Sequence, residues 1–139
     1  MKLLTLVLNV ACLTTCRAGY STKQWNQLQE KSKMCQKQLQ LPKESDIPAR
    51  AHRGDVTNDT ELFKKFVLCE SMNMGIVDEK GVPIKQVLVD FMTEGHNNTL
   101  VQELVDRCAS GELGDEPHER AFNYYKCFWR KSLKFDRLV

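Results

Sequence analysis

The stretch NDTELFKKFVLCESMNMG, residues 58 to 75, decides the fold class. Asn58 followed three residues later by Glu61 is a helix start signal, and Gly75 is a stop. Between them Leu62, Phe63, Phe66, Val67 and Cys69 gather on one side of a helix, because residues three and four apart share a face. The same period recurs outward in both directions. Upstream, TKQWNQLQEKSKMCQKQL (22 to 39) spaces Trp25, Leu28, Cys35 and Leu39 helically, with Ser21 and Gln24 set as a capping box. The intervening PKESDIPARAHRG holds Pro48, which permits only a short or broken helical turn before Gly54.

Downstream, IVDEKGVP reads as a turn. IKQVLVDFMTEG then puts Ile84, Val87, Leu88, Phe91 and Met92 on one face, and NNTLVQELVDRC does the same with Leu100, Val101, Leu104, Val105 and Cys108. PHERAFNYYKCFWRKS opens on a proline suited to the first helical position and aligns Ala121, Phe122, Tyr125, Phe128 and Trp129. No segment alternates with the period of a strand. The expectation is all-α: a compact bundle of about six short helices, each with one apolar stripe.

The first 18 residues stand apart. Met1 and Lys2, a short apolar run and small residues near Ala18 make a secretory signal peptide, too short to cross a bilayer, where a helix needs roughly 20 apolar residues. Removing 1–18 takes out Cys12 and Cys16, so 19–139 is expected to be a single helical domain carrying Cys35, Cys69, Cys108 and Cys127. Four cysteines in a secreted chain suggest two bridges, with three pairings open. The cut also removes Lys2 and Arg17, leaving 18 basic against 18 acidic residues. A balanced chain argues against a nucleic-acid partner, which needs a net basic surface. No other run suits stable membrane insertion.

No constellation for catalysis is visible. His52, His96 and His118 are scattered, lack metal-ligand spacing and read as surface residues. Asp78/Glu79 and Asp115/Glu116 lie in turns beside helix starts, where carboxylates cap backbone N–H groups. The DEKG segment lacks the alternating ligands of a calcium loop. No cofactor or metal is expected, and no enzyme activity. Asn58-Asp59-Thr60 and Asn97-Asn98-Thr99 match the N-glycosylation sequon, yet each also stands where a helix needs its cap.

Taken together, the spacings resemble the insect odorant-binding proteins, the pheromone and general odorant-binding family. That family has a signal peptide, six short helices and six cysteines, the second and third separated by three residues and the fifth and sixth by eight. Cys35, Cys69, Cys108 and Cys127 match its first, third, fourth and sixth; Lys65 and His118 occupy the two vacant places. This is what the four-cysteine, minus-C branch looks like. The resemblance implies pairing of Cys35 with Cys69 and of Cys108 with Cys127. Loops of these lengths are worth roughly 3 to 4 kcal/mol each on a chain-entropy estimate. The missing third link implies a core that deforms more easily.

The resemblance further implies helices that enclose a pocket where an aromatic and Met stripe would otherwise be filled core. The expected lining is Val87, Leu88, Phe91, Met92, Leu104, Val105, Phe122 and Trp129, with Phe66 and Met72 as weaker candidates and Phe135 in the tail across the opening. The implied function is a secreted, extracellular carrier that solubilises small hydrophobic volatiles such as odorants or pheromones, with an olfactory receptor as an eventual partner. The alternative is a secreted disulfide-bonded interaction or defence protein with a filled core. Oligomeric state is not legible in the sequence.

Overall fold

A computed structural model of the protein describes residues 20–94 and 97–132. The signal-peptide reading of 1–18, His96 and the Phe135 tail lie outside these described residues. Within them run six helices: α1 Thr22–Gln38, α2 Ile47–His52, α3 Glu61–Asn73, α4 Lys85–Met92, α5 Asn98–Ala109 and α6 Pro117–Ser132. No strand forms among the described residues, and the isolated bridge found there pairs Val77 with Pro83 across the turn before α4.

The helix starts follow local side-chain chemistry. Ser21 Oγ accepts from the Gln24 N–H at 3.1 Å while the Ser21 N–H donates to Gln24 Oε1 at 2.7 Å, so the expected capping box closes. Asn97 caps α5 by accepting from the Leu100 N–H at 3.3 Å. At α3 the start differs from the sequence reading: Thr60, not Asn58, is the N-cap, accepting from the Phe63 N–H at 3.3 Å. Asn58 works one step removed, its Oδ1 accepting from the Thr60 hydroxyl at 2.9 Å and from the Thr60 N–H at 3.3 Å. A threonine beside an asparagine offers two possible caps, and the apolar period alone does not choose between them. Gly75 ends α3 with a φ of 75°, which lets the Ile76 N–H reach back to the Ser71 carbonyl at 2.8 Å.

Asp78 builds the following turn, its Oδ1 accepting from the N–H groups of Lys80 at 2.8 Å and Val82 at 2.9 Å. That is a turn role, in keeping with a carboxylate that serves backbone N–H groups. Arg120 ties this turn to α6 by donating from Nε to the Lys80 carbonyl at 2.7 Å.

The cores are two. Cys35, Ala51, Phe63, Phe66, Val67 and Phe122 pack together from α1, α2, α3 and one face of α6. Val77, Leu88, Val89, Val101, Leu104, Val105, Cys108, Ala121, Tyr124 and Phe128 pack from the turn, α4, α5 and the other face of α6. The disulfides follow the same division: Cys35–Cys69 joins α1 to α3, and Cys108–Cys127 joins α5 to α6. Each cluster therefore has its own covalent staple. Helix α6 spans both, and its contact with α3 is the most extensive between any two helices. Lys65 and His118 fall on this α3 and α6 pair. Lys65 is exposed and pairs with Glu61 at 3.4 Å, and His118 is half-buried in the first turn of α6.

Candidate ligand-binding cavity

Two clusters sharing one helix leave a seam, and the seam is hollow. A cavity of about 80 Å³, partly open to solvent, draws its wall from both: Ala51 from one, and Leu88, Ala121, Tyr124 and Phe128 from the other. One water needs roughly 10–15 Å³ by a comparable measure, so the space exceeds several solvent molecules. Leu28, Met74, Met92 and Trp129 extend the apolar wall. Trp129 is seated against Gly54, where a φ of 75° and the lack of a Cβ let the indole lie on the backbone; an added Cβ would fall inside the indole ring contacts.

Of the residues expected to line a pocket, Leu88, Met92 and Trp129 stand in the wall. Leu104 and Val105 lie in the α4, α5 and α6 cluster, and Phe91 packs against it with its ring 6.3 Å from that of Tyr20. Val87 is half-buried beside Gly75. Phe66 and Phe122 are fully buried in the other cluster, where Phe122 meets Phe63 edge-on at 5.9 Å. Met72 faces outward, 39% exposed.

Several wall residues carried no signal that separated them from core. Ala121 and Phe128 sit on the apolar stripe of α6 already read from the sequence, but periodicity does not say which part of a stripe meets a partner and which part meets space. Met74 follows the end of α3, past the stripe. Tyr20 precedes α1 and reaches the wall through ring contacts with Trp25 at 6.3 Å and Trp129 at 6.2 Å.

The polar side of the wall overturns one reading outright. His52 is not a surface histidine: its side chain is 3% exposed, and Nε2 lies 2.8 Å from Glu70 Oε2, itself buried. Trp25 covers the imidazole edge-on at 5.5 Å. The imidazole is enclosed by Glu70 on α3 and Trp25 on α1, neither of them near it in the sequence. Nearby, the Tyr125 hydroxyl donates to the Ala51 carbonyl at 2.8 Å. Burial first, and the Glu70 charge second, hold the Tyr20 phenol far above its usual range; burial does the same for Tyr125, with smaller contributions from Tyr20, Asp55 and Glu70. Both therefore stay protonated at neutral pH.

Among the described residues no group of three or more His, Cys, Asp or Glu side chains is placed to hold a metal ion, and no helix is long and apolar enough to cross a membrane. The wall can do what an apolar hollow with a few polar groups does: exclude water and hold a small apolar guest.

Comparison with known proteins agrees with this architecture. The sequence model of the PBP/GOBP family matches residues 17–131. No curated protein sequence matches. Two solved structures are similar in fold. One is described as odorant-binding protein dmelOBP28a from Drosophila melanogaster, with a TM-score of 0.69 and 20% identity over 80% of this chain and 93% of that one. The other is described as a fatty acid binding protein, OBP56a, from the oral disk of the blowfly Phormia regina, with a TM-score of 0.67 and 19% identity over 82% of this chain and 96% of that one.

Proposed function

The chain belongs to the PBP/GOBP family, and from that premise we propose that it is a secreted, extracellular carrier of small hydrophobic molecules, odorants or similar semiochemicals. The observation that carries this reading is the hollow seam between the two clusters. Close-packed interiors rarely keep voids larger than a water, since a void forfeits dispersion contacts along its lining. A space of about 80 Å³ bounded mainly by Leu, Met and aromatic side chains is suited to a guest less polar than water.

Magnitude sets the kind of binding. A volatile burying ~300 Å² of apolar surface gains roughly 7 to 8 kcal/mol before the cost of its lost freedom is subtracted. That is a ceiling equivalent to a dissociation constant of roughly a few micromolar, and the subtracted costs move it toward weaker, readily reversible binding, which suits carriage. The chain has no reaction to perform in this role. A surface-acting protein with a filled core is the competing reading, and the hollow counts against it.

The test is displacement of the fluorescent probe N-phenyl-naphthylamine by a broad panel of small volatiles. Saturable competition in the micromolar range supports the carrier, and flat curves across the whole panel would remove it.

A further inference from the structure

The cavity wall has one polar pole, and its charge points to what kind of ligand enters. His52, at the end of α2, and Glu70, on α3, meet at 2.8 Å with side chains 3% and 12% exposed, and both border the cavity. Stability alone is a weak reason to bury such a pair, because desolvating two charges costs about as much as their attraction returns. The α2 segment is already tied to α6 by the Tyr125 hydroxyl, which donates to the Ala51 carbonyl at 2.8 Å. The pair remains to be accounted for by what it offers the cavity.

Its chemistry is one-sided. With Nε2 bonded to Oε2, Glu70 keeps a second carboxylate oxygen, an acceptor. Trp25 lies edge-on to the imidazole at 5.5 Å. The imidazole Nε2 is already engaged by Glu70, so any positive charge on the ring is met within the pair. Tyr20, Ser71, Tyr124 and Tyr125 also line the cavity, none of them a cation. A carboxylate head would enter this space against Glu70 with nothing positive left over to meet it, in surroundings that screen charge poorly. A neutral head bearing an O–H donor would instead meet a carboxylate able to accept from it.

On the carrier reading, we propose that Glu70, set by His52, is a specificity-determining residue that selects neutral, hydrogen-bond-donating ligands such as alcohols and turns away carboxylates of the same chain length.

The test compares hexanol, hexanoate and hexane as competitors of N-phenyl-naphthylamine at neutral pH, on the wild type and on Glu70→Gln. Glu70→Gln keeps the shape and a hydrogen-bonding partner for His52 but removes the charge. The wild type should favour hexanol over hexanoate by at least tenfold. In the variant that ratio should fall by about fivefold or more, with the helical circular dichroism unchanged. A ratio that stays within about twofold of wild type overturns the proposal while leaving the carrier standing, provided hexanol and hexane compete. If neither displaces the probe from the wild type, this proposal falls, and the carrier falls with it only if the broad panel of volatiles is flat as well.

Should Glu70→Gln not fold, His52→Gln serves in its place. It leaves the Glu70 carboxylate without its imidazole partner and should widen the ratio; an unchanged or narrower ratio overturns the proposal.

Discussion

If the seam between the clusters is truly hollow, it should accept extra carbon atoms without protest. Ala121 is the place to add them, because it is 1% exposed, opens the α6 stripe and borders the cavity. Ala121→Leu adds three carbons to a space of about 80 Å³. At about 0.8 kcal/mol per buried methylene the upper gain is roughly 2.4 kcal/mol, from which ordering the new side chain takes about 0.5–1. The net expectation is between no change and a gain of about 2 kcal/mol. A filled site responds in the opposite direction, losing about 1–3 kcal/mol to overpacking. For a chain of this size 1 kcal/mol moves Tm by roughly 3–5 °C, so the two cases separate clearly in a thermal melt followed by circular dichroism. Probe displacement supplies the second readout, since the leucine should occupy the guest's space and weaken competition by about tenfold or more. A melt lowered by several degrees together with undiminished ligand competition would refute the reasoning on both counts.

Three further outcomes follow from particular contacts. Gly54→Ala forces a side chain into a left-handed backbone conformation and against the Trp129 indole, so stability should drop by about 2–4 kcal/mol, with a shift in tryptophan emission. Gln24 is 1% exposed, donates to the Phe91 carbonyl at 2.6 Å and accepts from the Ser21 N–H at 2.7 Å. Gln24→Leu leaves both backbone groups without that partner and should cost about 2–3 kcal/mol in urea unfolding. Tyr20, Tyr124 and Tyr125 all have phenols held above their ordinary value, mainly by burial. A raised folded-state value means stability is fully present below the unfolded phenol's pKa of about 10 and is lost as pH rises beyond it. Phenolate absorbance should therefore appear together with loss of helix in the alkaline range; free titration of all three near pH 10 with the helices intact would contradict their burial.

Much of the fold was legible because helical periodicity and caps are local. Trp25, Leu28 and Cys35 announce α1, Ser21 and Gln24 close its start, and Pro117 opens α6 where its missing N–H does no harm. The Cys35–Cys69 and Cys108–Cys127 pairing came from resemblance, since spacing alone left three choices. The cavity wall was legible only in part, for a physical reason. An apolar stripe looks the same whether it packs or faces a void: Leu88, Met92 and Trp129 border the hollow, while Phe66, Leu104 and Phe122, with equal claims by period, are core. What decides between them is how two clusters meet along α6, a non-local fact. His52 was misread for a similar reason, because its burial depends on Glu70, 18 positions away on another helix, and no local pattern links the two.

The most direct measurement is diffraction from a crystal of the protein pressurised with xenon, which enters apolar voids. Xenon density between Leu28, Met74, Leu88 and Phe128 is the predicted result. Those four side chains in mutual contact, with no density between them at any pressure the crystal survives, would contradict a core built around empty space.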